Sequence, residues 1–381
     1  MRRLLATLAT VGLTLLASGC GKSDSSGEAT EILVGEYSSL TGTTATFGTS
    51  THRGVQMAAD ETNAAGGLLG KKIKLITEDT QSKPEEAALA VQKLITRDNV
   101  VAIIGEVASS RSLAAAPICQ EQKVPMVSPG STNPEVTKKG DYIFRVCFID
   151  PFQGEVLAKF AFNSLGLRKV AILKDIKNDY SVGLAHYFNE TFTKLGGEVV
   201  GEQAYSEGDN DFKAQLTALK AMHPEGVFVP GYYTESALIV KQARELNMVM
   251  PIFGGDGWDS DRLVEIGGEA MNGTYFTNHY SADDPSPVVQ TFVSKYRAQY
   301  DNQTPDAMAA LGYDAAMILF DAIKRAGSID KARIRDMLAT TQNFPGVAGT
   351  TTIDAERNAR KSAVIIAVEN GKLIFRETVQ P

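Results

Sequence analysis

The sequence is poor in several residue types on which function often rests. Three cysteines in 381 residues are too few for a disulfide scaffold. The four histidines, His52, His186, His223 and His279, are scattered without the spacing of metal ligands and read as surface positions. Basic residues do not predominate. The 38 Lys+Arg stand against 45 Asp+Glu, a net charge of −7, so the clustered cations that phosphate contacts need are not expected and nucleic acid is excluded as the partner. No G-x-G-x-x-G follows a predicted strand, and no G-x-S-x-G or H-E-x-x-H is present. GGLLGKK at 66–72 is one residue short of a phosphate-binding loop, follows a helix and lacks the hydroxyl after its lysine. It reads as a helix end and turn. Asp256, Asp259 and Asp261 do not follow the order of a calcium loop. No cofactor or metal is expected, and without a nucleophile–base pair the chain is not read as an enzyme.

What the chain does have is an ordinary soluble composition, 43% hydrophobic and 22% charged, which argues against disorder, fibrous repeats and multiple membrane spans. Its length allows two domains. The N-terminus stands apart. Arg2 and Arg3 precede an apolar run from Leu4 to Ala17 that is too short to span a bilayer, and Ala17-Ser18-Gly19-Cys20 follows. Small residues before a cysteine resemble the lipobox of bacterial lipoproteins. That resemblance implies cleavage of residues 1–19 and a lipid on Cys20; an ordinary signal peptide cut near Gly19 is the alternative. Either way the chain is exported, to the periplasm or the cell surface. Losing the two arginines shifts the net charge from −7 to −9. Residues 20–30 read as the lipidated cysteine and a polar, flexible tether. Cys119, on a predicted helix, and Cys147, at the end of a predicted strand, either form a bridge or remain two buried thiols.

From Glu31 onward apolar strands alternate with amphipathic helices. The first series runs through strands at Ile32–Tyr37, Lys72–Asp79, Val100–Gly105 and Val124–Ser128, with helices at His52–Ala65, from Pro84 to Asp98, and at Ser109–Glu121. A second series begins after Asp150 with helix Gly154–Leu165 and continues through strands at Val170–Lys174, Glu198–Tyr205, Gly226–Pro230 and Ile252–Gly255. Two such runs predict an α/β chain of two Rossmann-like lobes with parallel sheets and right-handed crossovers. Ligands of such sheets meet the carboxyl ends of the strands, so the strand-to-helix loops carry the functional candidates.

Two of these loops lie in the first half. Glu106-Val107-Ala108-Ser109-Ser110 leads into a helix whose start offers hydroxyls and N–H groups to a carboxylate. Pro129-Gly130-Ser131-Thr132-Asn133-Pro134 is a second polar turn. In the second half, Asn178-Asp179-Tyr180-Ser181, Gly231-Tyr232-Tyr233-Thr234 and Asp256-Gly257-Trp258 bring one acid and several aromatics to strand ends, which suits a cation flanked by apolar surface.

In order and spacing these loops resemble a known family. NAAGG at 63–67, GEVASS at 105–110, VPMVSPGSTNPEVT at 124–137, FRVCFIDPFQG at 144–154, NDYSVGLA at 178–185, VPGYYTE at 229–235 and IFGGDGW at 252–258 are similar to the type I periplasmic binding proteins of the branched-chain amino acid class. The resemblance covers residues 31–381. It implies a Venus-flytrap fold, with lobe 1 at 31–148 plus 284–354, lobe 2 at 149–280 plus 355–381, and three hinge crossovers near 148–151, 280–283 and 354–358. It implies that Ser109 binds a ligand carboxylate, that Thr132 and the Gly130 backbone hold main-chain groups, and that Tyr180 and Tyr232 close over the ligand. Asp256 then pairs with an ammonium, and Phe47, Val107 and Met308 wall the side-chain pocket.

The implied function is the solute-binding component of an ABC importer. The protein would be a monomer that captures an aliphatic amino acid such as leucine, isoleucine or valine and delivers it to a membrane permease. The same fold serving an amide, urea, a short peptide or another amino acid, or a ligand-sensing receptor, is the alternative. Glu106 sets a charge beside the pocket. Turned to solvent, the orientation favoured here, it leaves the pocket apolar; turned inward, it points to a polar or basic ligand.

Overall fold

A computed structural model describes residues 30–381. The leader, the lipidation site at Cys20 and all but the last residue of the tether lie outside the described residues. Strands β1 (Glu31–Ser38), β2 (Lys72–Asp79), β3 (Ala102–Ile104), β4 (Met126–Ser128) and β5 (Ile143–Arg145) form one sheet in the order β2-β1-β3-β4-β5. Every neighbouring pair in it is parallel. The short β3 and β4 are wholly buried, as expected of apolar strands covered on both faces.

The second sheet repeats this winding. Strands β6 (Lys169–Asp175), β7 (Glu198–Tyr205), β8 (Gly226–Val229), β9 (Ile252–Gly254) and β10 (Thr274–Asn278) are parallel and ordered β10-β9-β8-β6-β7. Between them and the chain end a small antiparallel sheet is built from β11 (Phe344–Gly346), β12 (Gly349–Ile353) and β13 (Ala359–Arg360). Strands β14 (Ala363–Glu369) and β15 (Lys372–Val379) then extend the second sheet beyond β10 in antiparallel fashion. In each lobe the strand order reverses once, between β1 and β3 and between β6 and β8. The crevice that ligands use lies beyond such a reversal.

Helices α1 (Ala45–Ala64), α2 (Pro84–Thr96) and α3 (Ser109–Glu121) cover the first sheet, and α4 (Asp150–Lys159), α5 (Asp179–Lys194), α6 (Lys213–Lys220), α7 (Tyr233–Glu245) and α8 (Asp261–Gly267) the second. The chain then returns to lobe 1 through α9 (Pro287–Gln299), α10 (Ala307–Ala326) and α11 (Lys331–Ala339). Helices α1 and α10 pack almost backbone to backbone. A Cβ on Gly54 would stand 2.0 Å from the Ala309 carbonyl oxygen, and one on Gly312 would stand 2.4 Å from that of Thr51. Among the described residues no helix is long and apolar enough to cross a membrane.

Three differences from the sequence reading matter for the site. Helix α1 begins seven residues before His52, because Phe47, Gly48 and Thr51 bury a face that local propensity does not reveal. Helix α4 begins at Asp150 and not at Gly154, with Pro151 in its first turn. The segment 354–358, expected as the third crossover, is the turn from β12 to β13, where Asp354 N–H donates to Asn358 O at 2.9 Å. It docks on lobe 1, the Asn358 amide oxygen accepting from Thr137 Oγ1 at 3.0 Å. The chain enters the second sheet only at Ala363. Cys119 and Cys147 are free buried thiols, and burial pushes the Cys147 thiol up to about 12.

The lobes are in contact. Asp259, following β9, accepts from the Ala307 N–H at the start of α10 at 2.7 Å. Asp306, the cap of α10, accepts from Ala309 N–H at 2.9 Å and Ser50 Oγ at 2.6 Å. Burial, then the neighbouring carboxylate, raises the pKa of Asp259; burial likewise raises Asp306. The folded chain therefore holds protons there that the unfolded chain has released, and stability falls as pH rises from the ordinary carboxylate range toward neutral. Asp306→Asn keeps a good cap and removes one charge. At pH 8 its Tm should exceed wild type by about 1–2 °C, the effect of roughly 1 kcal/mol in a chain of this size; at pH 4.5 the two should match. A pH-independent difference in differential scanning calorimetry would contradict this account.

Candidate functional site

Both strand-order reversals point at the same seam. From lobe 1 come the loops after β3 and β4, and from lobe 2 those after β6, β8 and β9. Ser109 opens α3, where the first N–H groups of the helix have no intrahelical partners. Its hydroxyl accepts from the Asn133 N–H at 3.2 Å, which ties the two lobe 1 loops together. The hydroxyls of Ser128 and Ser131 both donate to the Glu106 carbonyl, at 2.7 and 2.8 Å. Buried Arg145 clamps the second loop from below. Its guanidinium donates to the Ser131 carbonyl and, at 2.8 Å, to that of Asn133. Gly130 packs so tightly that a Cβ would stand 3.0 Å from Val107 Cγ1.

Aromatic rings close the seam. Tyr180 and Tyr232 stack with centroids 5.4 Å apart and planes 6° from parallel. Phe47, carried in by the early start of α1, meets Tyr232 edge-on at 5.4 Å and Tyr233 at 5.0 Å. Such pairs add about 0.5–1.5 kcal/mol beyond their burial. Phe47, Val107, Tyr180, Tyr232 and Met308 are all buried in the large apolar core that runs through both lobes. The lobes also meet through Asn133 Nδ2 donating to Asp179 O at 2.9 Å, Asp179 N–H donating to Ser110 Oγ at 3.0 Å, and a Thr46–Ser260 hydroxyl pair at 3.0 Å.

Asp256 sits in this closed interior, but it is not alone. Its Oδ1 accepts from Gln153 Nε2 at 2.7 Å and its Oδ2 meets His279 Nε2 at 2.9 Å. A second carboxylate, Asp150, is fully buried, and neither of its oxygens has a hydrogen-bond partner in the protein. The Thr132 hydroxyl lies beside it without reaching hydrogen-bond geometry, and it too has no partner. Burial, reinforced by the charge of Asp256, pushes the pKa of Asp150 well above the usual carboxylate range.

Sequence reasoning missed Asp150, Gln153 and His279. All three flank the crossovers, where no periodicity marks them. Asp150 and Gln153 lie in FRVCFIDPFQG, which served only as a mark of resemblance. His279, expected at the surface, is buried, because it packs flat on Phe148 with centroids 3.7 Å apart. His52 is half-buried against Glu36 at 2.7 Å, and His186 and His223 are exposed.

Glu106 also departs from expectation. It is buried at 2% exposure and does not face solvent. Its carboxylate accepts from Ala108 N–H at 2.7 Å and from the hydroxyls of Ser39 and Thr80, and lies 3.6 Å from the Arg111 guanidinium. Arg111 is itself buried, donating to Thr44 Oγ1 and the Ser82 carbonyl at 2.9 Å each, and lies 3.5 Å from Glu207 of lobe 2. The Glu106 charge is thus consumed within the scaffold. A cavity of about 600 Å³ opens beside it, lined by Ser110, Arg111, Asn178, Glu207 and Tyr232. It is the outer mouth of the seam, with the tyrosine stack standing between it and Asp256.

A family model described as periplasmic binding protein matches residues 31–372, and the chain belongs to that family. An amino acid binding protein of Pseudomonas aeruginosa is 32% identical over 312 residues, 81% of this chain and 82% of that one. The Leu/Ile/Val-binding protein BraC3 of Rhizobium johnstonii is 31% identical over 350 residues, 91% of this chain and 94% of that one. Among solved structures, the leucine-binding protein LivK of Thermotoga maritima superposes with a TM-score of 0.88 at 44% identity, covering 92% of this chain and 99% of that one. The branched-chain amino acid transporter substrate-binding protein LivJ of Streptococcus pneumoniae, in complex with isoleucine, gives 0.87 at 36% identity, covering 92% and 100%.

Gly255 leaves no room for a side chain. A Cβ there would stand 2.3 Å from the Tyr180 hydroxyl oxygen and 2.5 Å from Gln153 Oε1. Gly255→Ala should therefore cost about 1–3 kcal/mol by overpacking, seen as a Tm lower by several degrees with an unchanged circular dichroism spectrum. A Tm equal to wild type would show that the Asp256 loop yields freely.

Proposed function

We propose that the chain binds an aliphatic amino acid between its lobes and hands it to a membrane ABC permease as the solute-binding component of an importer, acting by binding and not by catalysis. The observation that carries this reading is the buried Asp150 carboxylate, without a hydrogen-bond partner on either oxygen and near enough to Asp256 to feel its charge, in the same seam that the start of α3 enters. A buried carboxylate without a partner is costly and calls for a cation. An α-ammonium set between Asp150 and Asp256 answers that need, while its own carboxylate meets Ser109, the N–H groups of α3 and the loop of Gly130 and Thr132. The relatives named for leucine, isoleucine and valine support the same ligand class.

The aliphatic side chain then lies against Phe47, Val107, Tyr180, Tyr232 and Met308, where burial of a Leu-sized group contributes about 1.5–3 kcal/mol. Since its polar partners come from both lobes, the ligand favours the closed form, which is what a permease reads. In this reading the lobes are the two sheets with their helices, hinged near 148–151, near 280–283 and between Arg360 and Ala363. Membership of the periplasmic binding protein family supports export. The lipobox-like Ala17–Cys20 supports lipid anchoring of a monomer at the membrane surface.

Thermal shift with every amino acid, small amides and urea tests the proposal. Leucine, isoleucine or valine at about 1,000 times its Kd adds about 4 kcal/mol and should raise Tm by several degrees. Asp256→Ala should weaken binding by about 2–5 kcal/mol, roughly 30-fold or more. Stabilisation by amides or urea with no response to any amino acid would overturn the reading.

A further inference from the structure

His279 occupies a place in this site that neither the sequence nor the ligand assignment explains. It follows β10 directly, at the head of the second crossover. Its Nε2 meets Asp256 Oδ2 at 2.9 Å, and its Nδ1 is buried with no hydrogen-bond partner in the protein. Its ring lies flat on Phe148, a residue of the first crossover, with centroids 3.7 Å apart and planes 22° from parallel. On the other oxygen of Asp256 sits Gln153, one turn into the helix that follows the first crossover. The acid is thus gripped from two hinge segments that are themselves stacked together.

We propose that neutral His279, carrying its proton on Nε2, is a positioning residue that orients Asp256 for the ligand's cation, and that protonation of this ring switches the site off. The inference rests on the amino acid reading above. In the neutral Nε2–H tautomer the ring donates one hydrogen bond to Asp256 and leaves its negative charge for the ligand. A protonated ring would supply a counter-ion from within the protein and compete with the incoming ammonium. The surroundings favour the neutral form. Burial lowers the affinity of the ring for a second proton, outweighing the attraction of Asp256. Lys361, a buried amine between β13 and β14, adds repulsion. From the first crossover the facing ring is apolar Phe148, with the titratable Cys147 just before it and Asp150 two residues after it. Binding of a cation beside Asp256 raises the cost of protonating His279 further, so binding and protonation oppose each other.

The test is isothermal titration of the full chain with leucine from pH 5 to 8, comparing wild type with His279→Gln and His279→Ala. Gln retains an N–H donor and cannot be protonated. We expect wild-type Kd to weaken severalfold between pH 7.5 and 5, and the slope to flatten in the Gln variant. His279→Ala should bind about tenfold or more weakly at every pH, the loss expected for a hydrogen bond to a charged group. A Gln variant that keeps the wild-type slope assigns the titration to Asp150 or Asp256 and overturns the proposal. If leucine fails to bind wild type at any pH, the functional reading fails instead. Nitrogen-15 shifts of the imidazole then still decide the tautomer, and an Nδ1–H ring at neutral pH would overturn the role given to His279.

Discussion

Asp150 shares the buried seam between the lobes with Asp256, where burial and the charge of Asp256 push its pKa well above the usual carboxylate range. Much of the surrounding structure manages the cost of that burial. Gln153 and His279 divide the two oxygens of Asp256 between them. Tyr180 turns its hydroxyl to the Asp256 turn, accepting from Gly257 N–H at 3.2 Å. Asp150 has no such help, and neither of its oxygens has a hydrogen-bond partner in the protein. An apolar seam with no buried acid would close on itself and select nothing.

The topology gathers these groups at one seam. Both sheets are wound so that their order reverses once, and both reversals open toward the same gap. Loops from five strand ends converge there, and short strands such as β3 and β4 hold those loops to fixed positions. Charges that do not serve the seam are neutralised nearby. Glu106 and Arg111 form an internal pair braced by hydroxyls, so the charge of a glutamate close to the site is met within lobe 1.

The alternation of apolar strands and amphipathic helices reveals both lobes in the sequence, and several element bounds, such as Lys72–Asp79, Ser109–Glu121 and Glu198–Tyr205, are legible to the residue. Periodicity reads burial of a regular face, and it fails where burial comes from elsewhere. The first turns of α1 are polar and contain Gly48, yet tertiary contacts make them helix, and Phe47 reaches Tyr232 only because of them. Helix α11 is too charged to show an apolar stripe. Individual site residues such as Ser109, Tyr180 and Asp256 are visible because they follow strands. Asp150, Gln153 and His279 are hidden because they follow crossovers, where a polar residue looks like an ordinary hinge. Glu106 shows the remaining gap: its residue type is plain in the sequence, but the partner that cancels it, Arg111, is identified only by the turn of α3.

The peripheral contacts between the lobes have a separate consequence. Asn133 with Asp179, Thr46 with Ser260 and the Asp259–Ala307 bond join the lobes beside the aromatic rings and touch no ligand group in the proposed mode. They form whenever the seam shuts, whatever lies inside it. They therefore lengthen the residence time of every occupant by the same factor and leave the choice among occupants to the interior. Dwell time and discrimination are set by different residues, so evolution can slow or quicken release to suit a transporter's turnover without altering which solute is chosen.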